Sequence, residues 1–104
     1  MPAPLDLHKA TVESVRWYIL RALDAGRPMP VNEDILLRTL DGADFPITIH
    51  ELRRELDYLG LRKLVEMKGK DDDFWEASLT QLGIDVVEYT IECKPGIARP
   101  PKRG

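Results

Sequence analysis

The fold of this chain is decided by residues 48–80, whose sequence is TIHELRRELDYLGLRKLVEMKGKDDDFWEASLT. The segment begins with the pattern of a capping box. In that motif the Thr48 hydroxyl accepts a hydrogen bond from the third amide of a helix, and the Glu51 carboxylate accepts one from the Thr48 amide. The helix is predicted to run to about Arg62, with an apolar face made of Leu52, Leu56 and Leu59.

A hairpin is predicted directly after this helix. Residues 64–68 (LVEMK) and 74–79 (FWEASL) have the composition of short strands, and residues 69–73 (GKDDD) have that of a polar turn. Thr80 is suited to cap a final helix that runs to about Tyr89. This half of the chain is therefore predicted to form a helix, a hairpin and a helix.

A first helix is predicted over residues 8–25, with Thr11 as its cap and Gly26 at a left-handed terminating position. Trp17 and Leu20 lie beside its apolar face and are predicted to pack under the last helix rather than in a dimer contact. The apolar face itself comprises Val12, Val15, Ile19, Ala22 and Leu23.

A second helix is predicted to start at Asn32, whose side chain is a good cap. Glu33 and Asp34 in the first turn favour the positive end of the helix dipole. Residues 29–31 are candidates for a short third strand. The helix is apolar nearly all round and is predicted to be deeply buried through Ile35, Leu36, Leu37 and Leu40.

At 104 residues, with 43% apolar and 32% charged residues, the chain has the composition of one soluble globular domain. No run approaches the roughly 20 apolar residues that span a bilayer, so no membrane partner is expected. The first residues lack the features of a signal peptide, and the lone Cys93 excludes an internal disulfide, so a cytoplasmic location is expected. The expected organisation is a loose arm over 1–7, the domain over 8–90 and an extended basic tail over 91–104.

The charge is unevenly distributed. Residues 94–104 carry +4 and no acid, so with a net charge of −3 the preceding residues carry −7. Proteins that bind nucleic acids obtain much of their affinity by neutralising phosphates with Lys and Arg. The acidic body therefore argues against a nucleic-acid partner, whereas the basic tail argues for one.

The element order resembles that of a winged helix-turn-helix. The likeness is carried by residues 56–59 (LDYL), by Leu-Val at 64–65 and by residues 77–85 (ASLTQLGID), where many bacterial winged-helix proteins leave the wing and open the last helix. Along nearly its whole length the chain is also similar to small winged-helix proteins encoded in Mu-like phages and prophages, including residues 32–33 and 96–100. The resemblance implies a mainly α fold with a small antiparallel β-hairpin, and a role in DNA binding.

Two positions depart from the winged-helix pattern. Lys63 stands where a Gly often precedes the Leu-Val strand, and residues 71–73, all Asp, stand at the wing tip, where DNA-contacting wings usually carry Arg or Lys. An acidic tip repels a phosphate backbone. The three aspartates are better interpreted as a solvated turn than as a cation site, because they lack the alternating ligands of a calcium loop.

The third helix of a winged helix-turn-helix is the element that enters a major groove. Its outward face is predicted to present His50, Arg53, Arg54 and Asp57. Arg binds guanine through two hydrogen bonds, so Arg53 and Arg54 are the candidate base-reading residues, assisted by His50. The alternative is that these are solvated residues that pair locally. The candidate phosphate contacts in the tail, which the alternative treats as a solubilising segment, are Arg99, Lys102 and Arg103.

The sequence offers no pattern for catalysis, cofactor binding or metal binding. It has no Gly-rich phosphate loop and no signature of a Ser or Cys nucleophile. His8, His50 and Cys93 are far apart and lack the spacing of zinc ligands. Neither an enzyme nor a cofactor is expected.

The favoured function is sequence-directed binding of double-stranded DNA by a small transcriptional regulator of phage or prophage type. A homodimer is expected, because two-fold pairing doubles the bases contacted. The alternative is a winged-helix module for protein interaction or assembly, such as a DNA-packaging accessory, with a phage protein as its partner. DNA binding is favoured if the arginines gather on one side, and assembly is favoured if each lies next to an acid. These arginines are Arg16, Arg21, Arg38, Arg53 and Arg54.

Overall fold

The computed structural model describes residues 5–102, which form four helices and a three-stranded antiparallel sheet. The helices are α1 (Leu7–Ala25), α2 (Glu33–Gly42), α3 (Ile49–Leu61) and α4 (Gln81–Val87). The strands are β1 (Val31–Asn32), β2 (Val65–Lys68) and β3 (Glu76–Leu79). The fold is mixed α/β and contains every predicted helix, the predicted hairpin and the suspected third strand.

The sheet has the order β1–β3–β2, so the last strand along the chain lies in the middle. β2 and β3 pair antiparallel from Val65 opposite Leu79 to Lys68 opposite Glu76, and β1 pairs with β3 through Val31 opposite Ala77. In β2 the buried Val65 is followed by the exposed Glu66, as expected for a strand with one face on the core.

One hydrophobic core joins all four helices to the sheet. The leucines predicted for the inward face of α3 are all buried, which confirms that part of the sequence pattern. The segments between the elements contribute Leu64 and Trp75, and Ile97 of the C-terminal segment joins them. The side chains that are almost completely buried are Ile19, Leu20, Leu23, Leu36, Leu40, Leu52, Leu56 and Leu59.

α1 ends at Ala25 as predicted, but the capping at both of its ends differs from the sequence prediction. The cap is Asp6, whose carboxylate accepts from the Lys9 amide at 2.9 Å, whereas Thr11 lies inside the helix and donates to the Leu7 carbonyl. Gly26 has a φ of −85° and is not left-handed. A Cβ at Gly26 would lie 2.6 Å from the Val31 side chain, so the glycine there permits the close approach of β1.

The off-stripe residues of α1 pack as predicted. Trp17 and Leu20 are buried, and the Trp17 ring meets the Tyr89 ring edge-on at 6.2 Å, just beyond α4. The side of α1 that carries Trp17 therefore lies under the C-terminal part of the chain.

The start of α2 is confirmed, because the Asn32 side chain accepts from the Ile35 amide at 2.9 Å. The expectation that α2 is buried nearly all round is wrong. Leu36 and Leu40 are buried, but Ile35 is exposed and Leu37 is half-buried, because the core covers one face of this helix only.

The capping box of α3 is confirmed in both directions. The Glu51 amide donates to the Thr48 hydroxyl at 3.1 Å, and the Thr48 amide donates to the Glu51 carboxylate at 2.9 Å. After the helix, Lys63 adopts the left-handed conformation with a φ of 65°. Lys63 therefore fills the backbone role for which winged helices often use glycine.

None of the helices between residues 5 and 102 has the length and apolar character that crossing a membrane requires.

Candidate interaction surface on α3 and the hairpin

The outward side of α3 carries four exposed side chains at helical spacing, namely His50, Arg54, Asp57 and Leu61. We call these four residues the α3 face. Residues three or four apart lie together on a helix, so the four form one stripe along it. Leu61 is 83% exposed at the C-terminal end of the stripe, which gives the α3 face an apolar end and a polar start.

Arg53 does not belong to this face, contrary to the sequence prediction, because its guanidinium turns toward α2 and the hairpin. It binds the Glu33 carboxylate through two hydrogen bonds of 2.8 Å. It also donates to the Asp73 carboxylate at 2.6 Å and to the Asp73 carbonyl at 3.0 Å. The Arg53 side chain is only 18% exposed, and that of Glu33 only 5%.

The electrostatics of this cluster favour the ion pair. The hydrogen bonds to Glu33, and then those to Asp73, raise the pKa of Arg53 above its usual value. The bidentate contact with Glu33 is the strongest geometry that a carboxylate and a guanidinium can form. Arg53 therefore stays charged, and its charge is compensated within the domain.

Local structure explains how the two acids reach Arg53. Glu33 is the first residue of α2, and its amide donates to the Trp75 carbonyl at 2.9 Å, which joins that helix end to the hairpin. Asp73 has a φ of 54° at the end of the hairpin turn, residues 69–73. The turn is closed by a hydrogen bond of 3.1 Å from the Phe74 amide to the Gly69 carbonyl.

A second ion pair joins α3 to the hairpin turn. Lys70 Nζ lies 2.8 Å from Asp57 Oδ1 and 4.6 Å from the centre of the Trp75 ring. A cleft of about 370 Å³ lies between α3 and the hairpin, and we call it the α3–hairpin cleft. Asp57 and Lys70 neutralise each other there, and the rest of the lining is apolar. The lining residues are Asp57, Gly60, Leu61, Met67 and Lys70.

Two of the predicted site residues remain on the α3 face. His50 is exposed, and Arg54 is 65% exposed. The Arg54 guanidinium lies 3.7 Å from the Glu55 carboxylate, which also accepts a 2.7 Å hydrogen bond from Arg16. Arg54 is therefore the arginine of α3 whose charge faces solvent.

Of the predicted tail residues, Arg99 is bound within the fold. The Arg99 guanidinium donates to the carbonyls of Val86 and Ile91, each at 2.9 Å, and lies 4.3 Å from the Tyr89 ring. Lys102 is exposed, whereas Arg103 lies outside the residues that the structure describes. The structure thus gives Arg99 a role in the fold.

The C-terminal segment is packed on the body rather than extended away from it. Ile97 is buried, the Gly96 carbonyl accepts from Arg16 at 2.9 Å, and the Ala98 amide donates to the Glu13 carbonyl at 3.1 Å. This packing was not predicted from the sequence, because only the isolated Ile97 among prolines and basic residues indicated it.

The five arginines that discriminate between the two functions differ in whether a carboxylate lies next to them. Arg16, Arg53 and Arg54 each lie within 4.0 Å of a carboxylate. Arg21 and Arg38 are exposed and have no such partner among residues 5–102. An acid therefore lies next to three of the five arginines, so the condition that favours assembly, an acid next to each of them, is met only in part.

Among residues 5–102, no group of three His, Cys, Asp or Glu side chains is arranged to hold a metal ion.

Comparisons of this chain with family models, with curated proteins and with solved structures find no match.

Proposed function

We propose that this chain is a winged helix-turn-helix domain of phage or prophage type that acts as a protein-interaction or assembly module. The fold assignment is supported by the element order, helix, strand, two helices and a hairpin, and by the central position of the last strand. In this assignment α3 is the recognition helix and the β2–β3 hairpin is the wing.

The observation that carries the proposal is the pairing of Arg53. A base-reading arginine must offer its guanidinium to a guanine edge. In this domain the guanidinium of Arg53 is bound to Glu33 and Asp73, and breaking the contact would leave the Glu33 carboxylate buried and unpaired. The recognition helix thus uses its first arginine to hold the wing.

The surface beside Arg53 is suited to a protein partner. The α3–hairpin cleft is neutral and largely apolar, and Leu61, one of its lining residues, is almost fully exposed. Protein interfaces have apolar centres surrounded by polar rims, and the rim here is supplied by Asp57 and Lys70. The partner is expected to seat an apolar side chain against Leu61 and Met67.

Binary co-expression and co-purification with the product of each gene that flanks this one tests the proposal. We expect one product to bind the wild-type chain and to lose binding to the Leu61→Asp variant. Leu5→Asp is the matched control, because Leu5 is 94% exposed near the N-terminus and does not line the cleft. Equal binding by both variants, or no binding by any product, would count against the α3–hairpin cleft as an interaction site.

DNA binding is the second candidate, and the exposure of Arg54 beside His50 favours it. Fluorescence anisotropy with duplexes from the gene's own flanking region separates the two functions. The assembly proposal predicts no binding at low salt, where phosphate contacts are strongest. Salt-sensitive binding that prefers one duplex and is lost in Arg54→Ala would instead establish a DNA-reading domain.

A further inference from the structure

A second surface begins directly after α3, at Arg62, and is formed with α4 and the C-terminal segment. It is a groove of about 310 Å³ that we call the α4 groove. Its floor is apolar, and Leu82 and Ile91 on it are both exposed. The full lining consists of Arg62, Leu64, Leu82, Val86, Ile91, Glu92 and Lys94.

The rim of the α4 groove is positively charged. The Arg62 guanidinium donates only to neutral oxygens, the Tyr58 hydroxyl at 2.9 Å and the carbonyls of Pro95 and Lys94 at 3.1 and 3.3 Å. Among residues 5–102 no carboxylate lies within 4.0 Å of the charged nitrogens of Arg62 or Lys94. Glu92 is the one acid that lines the groove, so the rim carries a net positive charge.

The hairpin turn has the opposite character. Asp71 and Asp72 are exposed, and neither has a cationic partner within 4.0 Å in the described part of the chain. Phe74 follows them, is 42% exposed and does not pack against the core. The turn therefore combines an apolar ring with two uncompensated negative charges.

We propose that the hairpin turn of one copy docks in the α4 groove of a second copy. Phe74 covers the apolar floor, and Asp71 and Asp72 face Arg62 and Lys94. A buried aromatic ring supplies most of the apolar contact in such an interface, and the charges fix its register. The inference goes beyond the proposed function, because the α4 groove is a different surface from the α3–hairpin cleft.

The two surfaces of this contact differ, so the contact is head-to-tail. After one such contact, the first copy retains a free α4 groove and the second copy retains a free hairpin turn. Repetition of such a contact builds a ring if the rotation closes and a filament if it does not. A symmetric two-fold dimer is not the expected product.

Sedimentation velocity over a range of protein concentrations, at low and high salt, tests the docking. The wild-type chain is expected to associate at low salt and to dissociate as salt rises. Phe74→Ser on the turn and Leu82→Glu in the groove should each weaken association about tenfold or more, as loss of a central anchor does. Glu92→Gln should strengthen it, because it removes the one acid from the rim.

A mixture of the Phe74→Ser and Leu82→Glu variants distinguishes a head-to-tail contact from a symmetric one. The first variant retains an intact groove and the second an intact turn, so the mixture should form a heterodimer and stop there. Leu5→Glu is the control for an added charge at an exposed leucine, and circular dichroism verifies that each variant is folded. A wild-type chain that stays monomeric at every concentration, or association that these variants leave unchanged, would overturn the proposal.

Discussion

The hairpin side and the tail side of this domain use arginine in different ways. On the hairpin side, Arg53 binds the carboxylates of Glu33 and Asp73. On the tail side, Arg62 and Arg99 donate to backbone carbonyls. A carboxylate compensates the positive charge of a guanidinium, whereas neutral carbonyls leave that charge uncompensated. The number of arginines in a segment therefore does not tell how much positive charge that segment presents to a partner.

Because of this difference, the arginine side chains that are free to contact a partner are not those expected from the sequence. The third helix was expected to present two arginines, and it presents Arg54 alone on its exposed face. The basic C-terminal segment was expected to be free for phosphate contact, and its Arg99 instead holds the segment against α4. Variants that remove contacts on the hairpin side, on the tail side and on α3, the helix that joins them, test this difference.

The largest effect on the free energy of unfolding is expected from a substitution in α3, the helix that both sides share. Leu56 of α3 is 1% exposed, so Leu56→Ala should lower the free energy of unfolding by about 2–5 kcal/mol, as loss of a buried leucine side chain does. Leu61→Ala on the same helix should change it by about 0.5 kcal/mol or less, since Leu61 is exposed. Urea denaturation measures both. Similar losses would show that the orientation of α3 is wrong.

The next effect is expected on the tail side. Ile97→Ala should cost about 2–3 kcal/mol, at the lower end of the range for buried residues, because Ile97 lies at the edge of the core. Ile91→Ala is the matched control, since Ile91 is exposed. Thermal unfolding monitored by circular dichroism would show the difference. A tail that contributes nothing to the fold would give two variants with the same Tm.

On the hairpin side, Arg53→Ala and Arg54→Ala should separate two neighbouring residues. Arg53→Ala leaves the Glu33 carboxylate buried without a partner, so the fall in Tm should be several times that of Arg54→Ala. Adding Glu33→Gln to Arg53→Ala should recover part of the loss, because the buried charge is then gone. The absence of any recovery would mean that the ion pair does not account for the instability.

A smaller effect is expected at the start of α3. Thr48→Ala removes the side chain that caps the helix and should cost about 1 kcal/mol. Thr39→Ala in the exposed part of α2 is a control, because its hydroxyl donates within its own helix and caps no terminus. Urea denaturation of both variants would test whether the capping box stabilises the domain.

The smallest effect concerns the pH dependence of that capping box. The hydrogen bonds from the Thr48 backbone and side chain lower the pKa of Glu51 from its ordinary value of 4.5. The ionised carboxylate is therefore the stabilising form, and its contribution is present above pH 4.5 and lost as the pH falls through the lowered pKa. The difference in Tm between wild type and Glu51→Gln should thus shrink from about pH 7 to about pH 3. Glu66→Gln on the exposed face of β2 is the control, and a difference that is constant with pH would contradict this account.

Much of the fold was predictable because its signals are local. The capping box at Thr48, the cap at Asn32 and the leucine spacing of α3 each depend on residues three or four positions apart, and the structure confirms them. The cap of α1 was missed because residues 1–7 were assigned to a loose arm, although Asp6 in that arm is a good capping residue. The candidate site was less predictable, since the exposure of an arginine depends on where distant acids come to lie.

The sequence by itself determined the order of the elements, the inward face of α3 and the acidic character of the hairpin turn, because periodicity, capping and composition act within one turn or one hairpin. Only the tertiary structure decided the fate of the charges. Arg53 meets Glu33 and Asp73, each 20 residues away, once α2 and the hairpin have packed against α3. Ile97 likewise enters the core only when the other elements have assembled, because burial is a property of the assembled elements and not of the segment itself.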